Sequence, residues 1–519
     1  MKKLSIFYKV FFAALGIAFI CLVLDSCSKE INEFGVDWEA LTPRNEDTAS
    51  GNWKTCILAN AAEIQLPAPT NPQSAQFLTE INEVKTALNS QTEAQKSAIR
   101  YWSAGGVLRW NEIMRGLVAK YNLAPQENTN DEYPVPNSAN PFAYPMFPFA
   151  NPPYAARAYA YVSVAQYDAL VASYKLKSQY KQPRPYIFDA SIVPSVPKVV
   201  SSSYPSEDAA LATATLEILK FMFPTEMDFL TQKANEARQV KFWAGAATKR
   251  DIEGGDSLGR AIAAKVLARA RGDNMRNAVG SKPQWDSLAQ RRISVGETPW
   301  RSLETPARPP MLPFYGNVRT WLVTDIAAIR PPAPPATNSA EIRAQLDEVK
   351  NYADNPTRER VGIVHYWADG TGTHTPPGHW NAIAATYFQS EQMSEVRTAR
   401  NFALLNMALM DAAIVCWETK TYYFYPRPSQ LDPSIKTLTG LPNFPAYTSG
   451  HSTFSGAAAT ILGHILPAQK TYFEQQAEEA SLSRLYGGIH YKMDCEVGLR
   501  AGKTVGNLAI NRAKTDGAD

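Results

Sequence analysis

"YPSEDAALATATLEILKFMFP" (204–224) and "YTSGHSTFSGAAATILGHILP" (447–467) lie over one another without a gap when the chain is shifted by 243 residues. The register continues downstream. Gln232, Ala234, Glu236 and Ala237 fall on Gln475, Ala477, Glu479 and Ala480, and Gly245, Lys249, Asp251, Glu253, Gly255 and Gly259 fall on Gly488, Lys492, Asp494, Glu496, Gly498 and Gly502. Upstream, Asp168-Ala169, Lys177 and Pro183-Arg184-Pro185 fall on Asp411-Ala412, Lys420 and Pro426-Arg427-Pro428. A gap-free correspondence at glycine, proline and charged positions predicts an internal repeat at offset 243, with two related helical bundles in one protein.

The local pattern is helical. Thr453, Phe454, Ala457, Ala458 and Ile461 form one apolar stripe, with Ser449 placed to cap it. Trp110, Ile113, Met114, Leu117, Val118 and Tyr121 form another, and strand patterns are scarce. The fold class expected is all-α, two related four-helix-type bundles. Proline-rich stretches at 132–153 and 308–336 break the helices and, being rich in aromatics, read as ordered connections. Residues 28–75 lack periodicity and read as a tether. The organisation expected is 76–336 for the N-terminal bundle and 337–519 for the C-terminal one.

Residues 1–27, "MKKLSIFYKVFFAALGIAFICLVLDSC", carry Lys2, Lys3 and Lys9, then an apolar run, then small residues before Cys27. This is the pattern of a secretory signal. Leu24-Asp25-Ser26-Cys27 resembles a bacterial lipobox, which implies lipidation at Cys27 and export to the periplasmic or cell-surface side of a membrane; the alternative is an uncleaved membrane anchor. After residue 27 no stretch of about 20 apolar residues is found, so membrane contact is expected through the N-terminus alone. Cys56, Cys416 and Cys495 then remain, with their pairing open and no Cys/His metal spacing. A net charge of +3 over 519 residues makes no case for a nucleic-acid partner.

The two halves differ at their polar positions. His451 falls on Asp208, Arg484 on Lys241 and His490 on Ala247, so only the C-terminal half is expected to carry an active site. Its polar groups form three clusters: Lys420 with Arg427; Ser449, Gly450 and His451; and Ser483-Arg484 with His490 and Asp494. Lys420, Arg427 and Arg484 are cationic donors suited to a tetrahedral oxyanion. Ser449 and the Gly450 N–H add donors at a helix N-terminus. Asp494, one turn after His490, can take one ring N–H and fix the tautomer.

Lys420-x6-Arg427-Pro428, then Ser449-Gly450-His451, then Ser483-Arg484-x5-His490-x3-Asp494 resembles the signature of the type 2 phosphatidic acid phosphatase (PAP2) and vanadium-dependent haloperoxidase superfamily. Thr448 stands where that signature usually has proline. Trp417, Phe444 and the segment "YWADGTGTHTPPGHWN" (366–381), with Asp369 at its acidic position, resemble the chloroperoxidase-type branch. The resemblance covers roughly residues 150–514. It implies two helical bundles with one live site. His490 would bind vanadium axially with Asp494 behind it, and Lys420, Arg427, Ser449, Gly450 and Arg484 would hold the vanadate oxygens. His451 would move protons, Lys420 would polarise bound peroxide, and Trp417 and Phe444 would lie near the halide.

The substrates implied are hydrogen peroxide and a halide. In the phosphatase branch no cofactor is needed: the substrate is a phosphoester, His490 is the nucleophile, and His451 protonates the leaving oxygen. A surface lipoprotein with a vestigial site is the third reading, weakened by the completeness of the motif. His379 either borders the pocket or, like His374, is an ordinary loop residue, and His365 and His464 have no assigned role.

Overall fold

The computed structural model describes residues 38–518. The signal sequence and lipidation site expected over residues 1–27 lie outside the described residues. Residues 39–519 form one compact unit. Among the described residues there is no strand. The α-helices are α1 (Ala75–Asn89), α2 (Glu93–Trp102), α3 (Gly106–Tyr121), α4 (Pro152–Tyr180), α5 (Pro185–Phe188), α6 (Glu207–Met222), α7 (Met227–Trp243), α8 (Lys249–Arg271), α9 (Lys282–Ile293), α10 (Ala340–Asp354), α11 (Arg358–Tyr366), α12 (Thr375–Ser390), α13 (Glu395–Tyr423), α14 (Pro428–Leu431), α15 (Gly450–Ile465), α16 (Lys470–Tyr486) and α17 (Lys492–Ala513).

Two 29-residue helices, α4 and α13, form the centre and pack against each other. The Asn151 side chain caps α4 by accepting from the Tyr154 N–H at 3.1 Å, and Ser394 caps α13 by accepting from the Arg397 N–H at 3.2 Å. Both helices end on a residue in the left-handed region, Lys181 (φ 51°) and Phe424 (φ 44°). Their side chains are buried almost all round, which removes the amphipathic stripe that a surface helix would show. The expected lack of long apolar stretches is corrected here. The Glu395–Leu431 segment is long and apolar enough to cross a membrane by composition, but 94% of its most apolar window is buried in the protein.

Helices α6 and α8 pack on α4, and α15 and α17 pack on α13. The helix pairs α4/α13, α5/α14, α6/α15 and α7/α16 start and end at the same offset, the 243 residues that separate the hydrogen-bonded Ser163 and Asn406 side chains. α8 and α17 start at that offset and end within one residue of it. A glycine in each half allows these helices their close approach. A Cβ on Gly259 of α8 would lie 2.5 Å from the Ala210 carbonyl oxygen, and one on Gly502 of α17 would lie 2.1 Å from that of Thr453.

α4 and α13, on either side of the expected boundary at 336/337, pack against each other within one unit. The tether expected over 28–75 is also corrected for the described part. Trp53 and Leu58 are buried, and the Asp168 carboxylate, inside α4, accepts from the backbone N–H groups of Cys56, Ile57 and Leu58 at 2.7–3.0 Å. Asp411, inside α13, holds Trp321, Leu322 and Val323 in the same manner at 2.7–2.9 Å. Irregular segments with no periodicity are thus fastened by buried carboxylates, which satisfy backbone donors that lack a ladder. Cys56, Cys416 and Cys495 are free thiols.

Candidate active site

The site forms where the end of α13, the α14–α15 connection, the start of α15, and the α16–α17 turn meet. Lys420, in the last turn of α13, donates from Nζ to the carbonyl oxygens of Pro445 (2.7 Å), Ala446 (3.0 Å) and Thr448. Arg427, just before α14, donates from Nε to Phe444 O (3.0 Å) and from Nη1 to Ile489 O (2.7 Å). Both cations thereby fix the loop leading to α15. Arg484, at the end of α16, is held by Ser483 Oγ (2.8 Å) and Val364 O (3.2 Å).

His490 is 2% exposed and Asp494 is fully buried. Nδ1 of His490 lies 2.8 Å from Asp494 Oδ2, and Nε2 lies 2.9 Å from Arg427 Nη1. A guanidinium can only donate, so Nε2 accepts and the ring proton sits on Nδ1, donated to Asp494. Asp494 Oδ2 also accepts from the Tyr491 N–H at 3.1 Å. Burial, reinforced by Arg427, Lys420 and Arg484, holds His490 well below the usual histidine range. The site therefore presents a neutral imidazole with its lone pair on the cationic side.

Ser449 caps α15, accepting from the Ser452 N–H at 3.3 Å, and its own N–H donates to Asp494 O at 3.0 Å. Gly450 follows at the first helical position. A Cβ there would meet no protein atom closer than 3.9 Å, so packing does not require glycine. Trp417 and Phe444 form an apolar wall with ring centroids 5.0 Å apart; the Phe444 ring lies 4.9 Å from Lys420 Nζ and 5.0 Å from Arg427 Cζ. Trp417 is fastened by its indole N–H to Met311 O at 3.0 Å.

Charge is unbalanced. Lys420, Arg427 and Arg484 are each at most 2% exposed and hydrogen-bond to no carboxylate among the described residues; the buried carboxylates nearby are Asp494, bonded to His490, and Asp369, which acts on Arg484. Burial lowers Lys420 to about 7 and both Arg427 and Arg484 to about 10, and raises Asp494 to about 7. Arg427 Nη2 and Asp494 Oδ1 are buried with no protein partner. Clustered cations, an orphaned guanidinium nitrogen and a cradle with room for a Cβ at Gly450 together fit a tetrahedral oxyanion such as vanadate or phosphate.

His451, on the first turn of α15, faces a group the motifs did not resolve. Its Nε2 lies 3.7 Å from Asp369 Oδ2, and Asp369 Oδ1 lies 3.0 Å from His379 Nδ1. His379 stacks on Trp367 with ring centroids 4.3 Å apart. His379 therefore borders the site through Asp369, and His374, lowered to about 4 by burial, sits 5.9 Å from it, ring to ring. Burial, with Arg484 next, holds His451 well below its ordinary value. The His451–Asp369–His379 chain joins positions far apart in sequence; the one signal for it was the acidic residue in 366–381. A groove of about 650 Å³ is lined by Met311, whose carbonyl oxygen accepts from Trp417, and by Asn443, Tyr133, Phe149 and Trp285.

Residues 401–516 match the PAP2 superfamily. A vanadium chloroperoxidase of Curvularia inaequalis is 31% identical over 189 residues, covering 28% of this chain and 31% of that protein. The match thus spans about a third of the relative's length. Among solved structures, a bacterial vanadium-dependent iodoperoxidase superposes with a TM-score of 0.55 at 23% identity, covering 70% of this chain and 91% of the other. A holo-type bacterial vanadium-dependent chloroperoxidase superposes with a TM-score of 0.50 at 14% identity, covering 75% and 98%. The fold is the helical fold of the vanadium haloperoxidases, and its C-terminal segment carries the PAP2 signature.

Proposed function

We propose that the C-terminal half is a vanadate-dependent haloperoxidase site that oxidises a halide with hydrogen peroxide. The observation that carries this is the excess of buried cations around the His490 lone pair, closed on one side by Trp417 and Phe444. Lys420, Arg427, Arg484, Ser449 and the Gly450 N–H would hold the oxyanion, with His490 Nε2 as its protein ligand. Bound vanadate supplies the capacity to activate peroxide for transfer of one oxygen to a halide. Peroxide, halide and one proton give hypohalous acid and water.

The chain's own residues do the rest. Asp494 keeps the His490 proton on Nδ1, so Nε2 keeps a free lone pair. Lys420, its three N–H groups held by the Pro445, Ala446 and Thr448 carbonyls, would add positive charge to the site, and the aromatic wall would exclude water from the halide. His451, neutral at the outset, takes the proton that peroxide must lose and returns it to the departing water. Asp369 steadies the resulting imidazolium, and His379 anchors Asp369.

The PAP2 match over 401–516 favours a second reading, phosphomonoester hydrolysis. There His490 Nε2 attacks phosphorus, the phosphorus–ester oxygen bond breaks, and His451, which takes up a proton from solvent when the phosphoester anion binds beside it, gives that proton to the leaving alkoxide. Water then releases phosphate. Export and lipidation at Cys27 complete the proposal, on the signal-like pattern of residues 1–27.

The test is an assay of peroxide-dependent oxidation of chloride, bromide and iodide after incubation with orthovanadate, with His490→Ala alongside. Vanadate-dependent oxidation lost in the variant supports the haloperoxidase. Absence of halide oxidation, with His490-dependent release of phosphate that vanadate inhibits, assigns the protein to the phosphatase reading.

A further inference from the structure

We infer that the N-terminal half contains a second oxyanion cradle, which the chain fills with its own Glu207 carboxylate. Lys177, near the end of α4, donates from Nζ to the carbonyl oxygens of Ser202 and Ser203, the latter at 3.2 Å. Arg184 donates from Nε to Ser201 O (2.7 Å) and from Nη1 to Ala246 O (3.4 Å). Each of these acceptors stands at the repeat offset from one used by Lys420 or Arg427: Ser202 and Ser203 answer to Pro445 and Ala446, Ser201 to Phe444, and Ala246 to Ile489. Ser206 caps α6 as Ser449 caps α15, and the Ser206 N–H donates to Asp251 O at 2.9 Å as that of Ser449 donates to Asp494 O. The frame of the cradle is therefore built twice.

Its content differs. Where α15 begins with Gly450, α6 begins with Glu207, and the Glu207 side chain turns into the cradle. Oε2 lies 2.8 Å from Lys177 Nζ and Oε1 lies 2.8 Å from Arg184 Nη2. Two carboxylate oxygens thus take one donor from each cation; in the C-terminal half the third Lys420 N–H goes to the Thr448 carbonyl oxygen instead, and no nitrogen of Arg184 is left buried without a partner as Arg427 Nη2 is. The electrostatics agree: with Glu207 beside it, Arg184 is raised despite its burial, whereas Arg427 is lowered. Burial pushes Glu207 upward, but Lys177 and Arg184 hold it well below the carboxylate range.

Removing the Glu207 side chain leaves two buried cations at a capped helix N-terminus, a site for a tetrahedral oxyanion of the size of phosphate. The other groups around it set its strength. Asp208 lies 4.0 Å from Lys241, and Asp208 and Asp251 add negative charge beside Lys177, so this site is weaker than the C-terminal one. No imidazole stands at Ala247, so the site binds without the His490 chemistry.

The experiment is equilibrium dialysis of inorganic phosphate against the parent protein, Glu207→Gly, Glu207→Ala, and Glu207→Gly combined with Arg184→Ala, with helical content followed in each. The expected result is one more phosphate per chain in E207G than in the parent, whatever the parent binds, so the reading of the C-terminal site is not at stake. The added Arg184→Ala should weaken that extra binding at least tenfold. If E207G and E207A need help to fold, phosphate should raise their melting temperatures more than the parent's. Folded variants with no extra phosphate, or unfolded ones that phosphate does not stabilise, overturn the inference.

Discussion

His490 Nε2 lies 2.9 Å from Nη1 of Arg427, while the opposite ring nitrogen is 2.8 Å from Asp494. The guanidinium fixes one tautomer from the front and the carboxylate fixes the same one from behind. The lone pair at Nε2 is therefore a property of three side chains, and disturbing either neighbour should alter it.

Asp494→Asn should lower turnover by roughly 10²–10⁴-fold while the helical fold persists, because an amide can donate to Nδ1 and drive the proton to Nε2. Nitrogen NMR of the His490 ring checks the tautomer directly, and kcat should fall more than KM rises.

Gly450→Ala separates ligand from packing. A Cβ has 3.9 Å of clearance from protein atoms, so unfolding free energy should change by no more than about 0.5 kcal/mol. Affinity for vanadate or phosphate should fall about tenfold or more if the oxyanion sits against that N–H. Equal affinity in the variant would place the ligand elsewhere.

Gly502→Ala should do the reverse. Its Cβ would press on the Thr453 carbonyl oxygen, forcing α17 away from α15 at a cost of about 1–3 kcal/mol, read as a lower melting temperature.

Glu395 gives the pH dependence. Burial, with Asp208 next, raises its carboxyl from 4.5 to about 7, although it accepts from the Gly106 and Val107 N–H groups at the start of α3. The folded state then binds more protons than the unfolded state between about pH 4.5 and 7. Its contribution is fully present below the lower value and is lost as pH rises through the upper one. Glu395→Gln should flatten that slope, removing about 3 kcal/mol of difference across the window in denaturant titrations.

Much of this was legible in the sequence because it rests on local or periodic signals. Ser449 announces a helix start, and the spacing from Lys420 through Arg427 and from Arg484 through His490 to Asp494 groups the cations with the imidazole. What escaped depends on contacts between segments far apart. Residues 39–75 look like a tether until Asp168 is seen to gather three of their N–H groups. α13 reads as neither amphipathic nor spanning because its burial comes from every side at once. Asp369 takes its meaning from His451, which is brought within 3.7 Å of it only by the packing of α12 against α15. The place of Glu207 between Lys177 and Arg184 emerges only from the fold.

The most direct measurement is calorimetric titration of orthovanadate into the protein and into His490→Ala, without peroxide. The account predicts one vanadate per chain, with affinity at least tenfold weaker in the variant. No saturable binding by the parent protein, or equal affinity in the two, would contradict an oxyanion site built around His490.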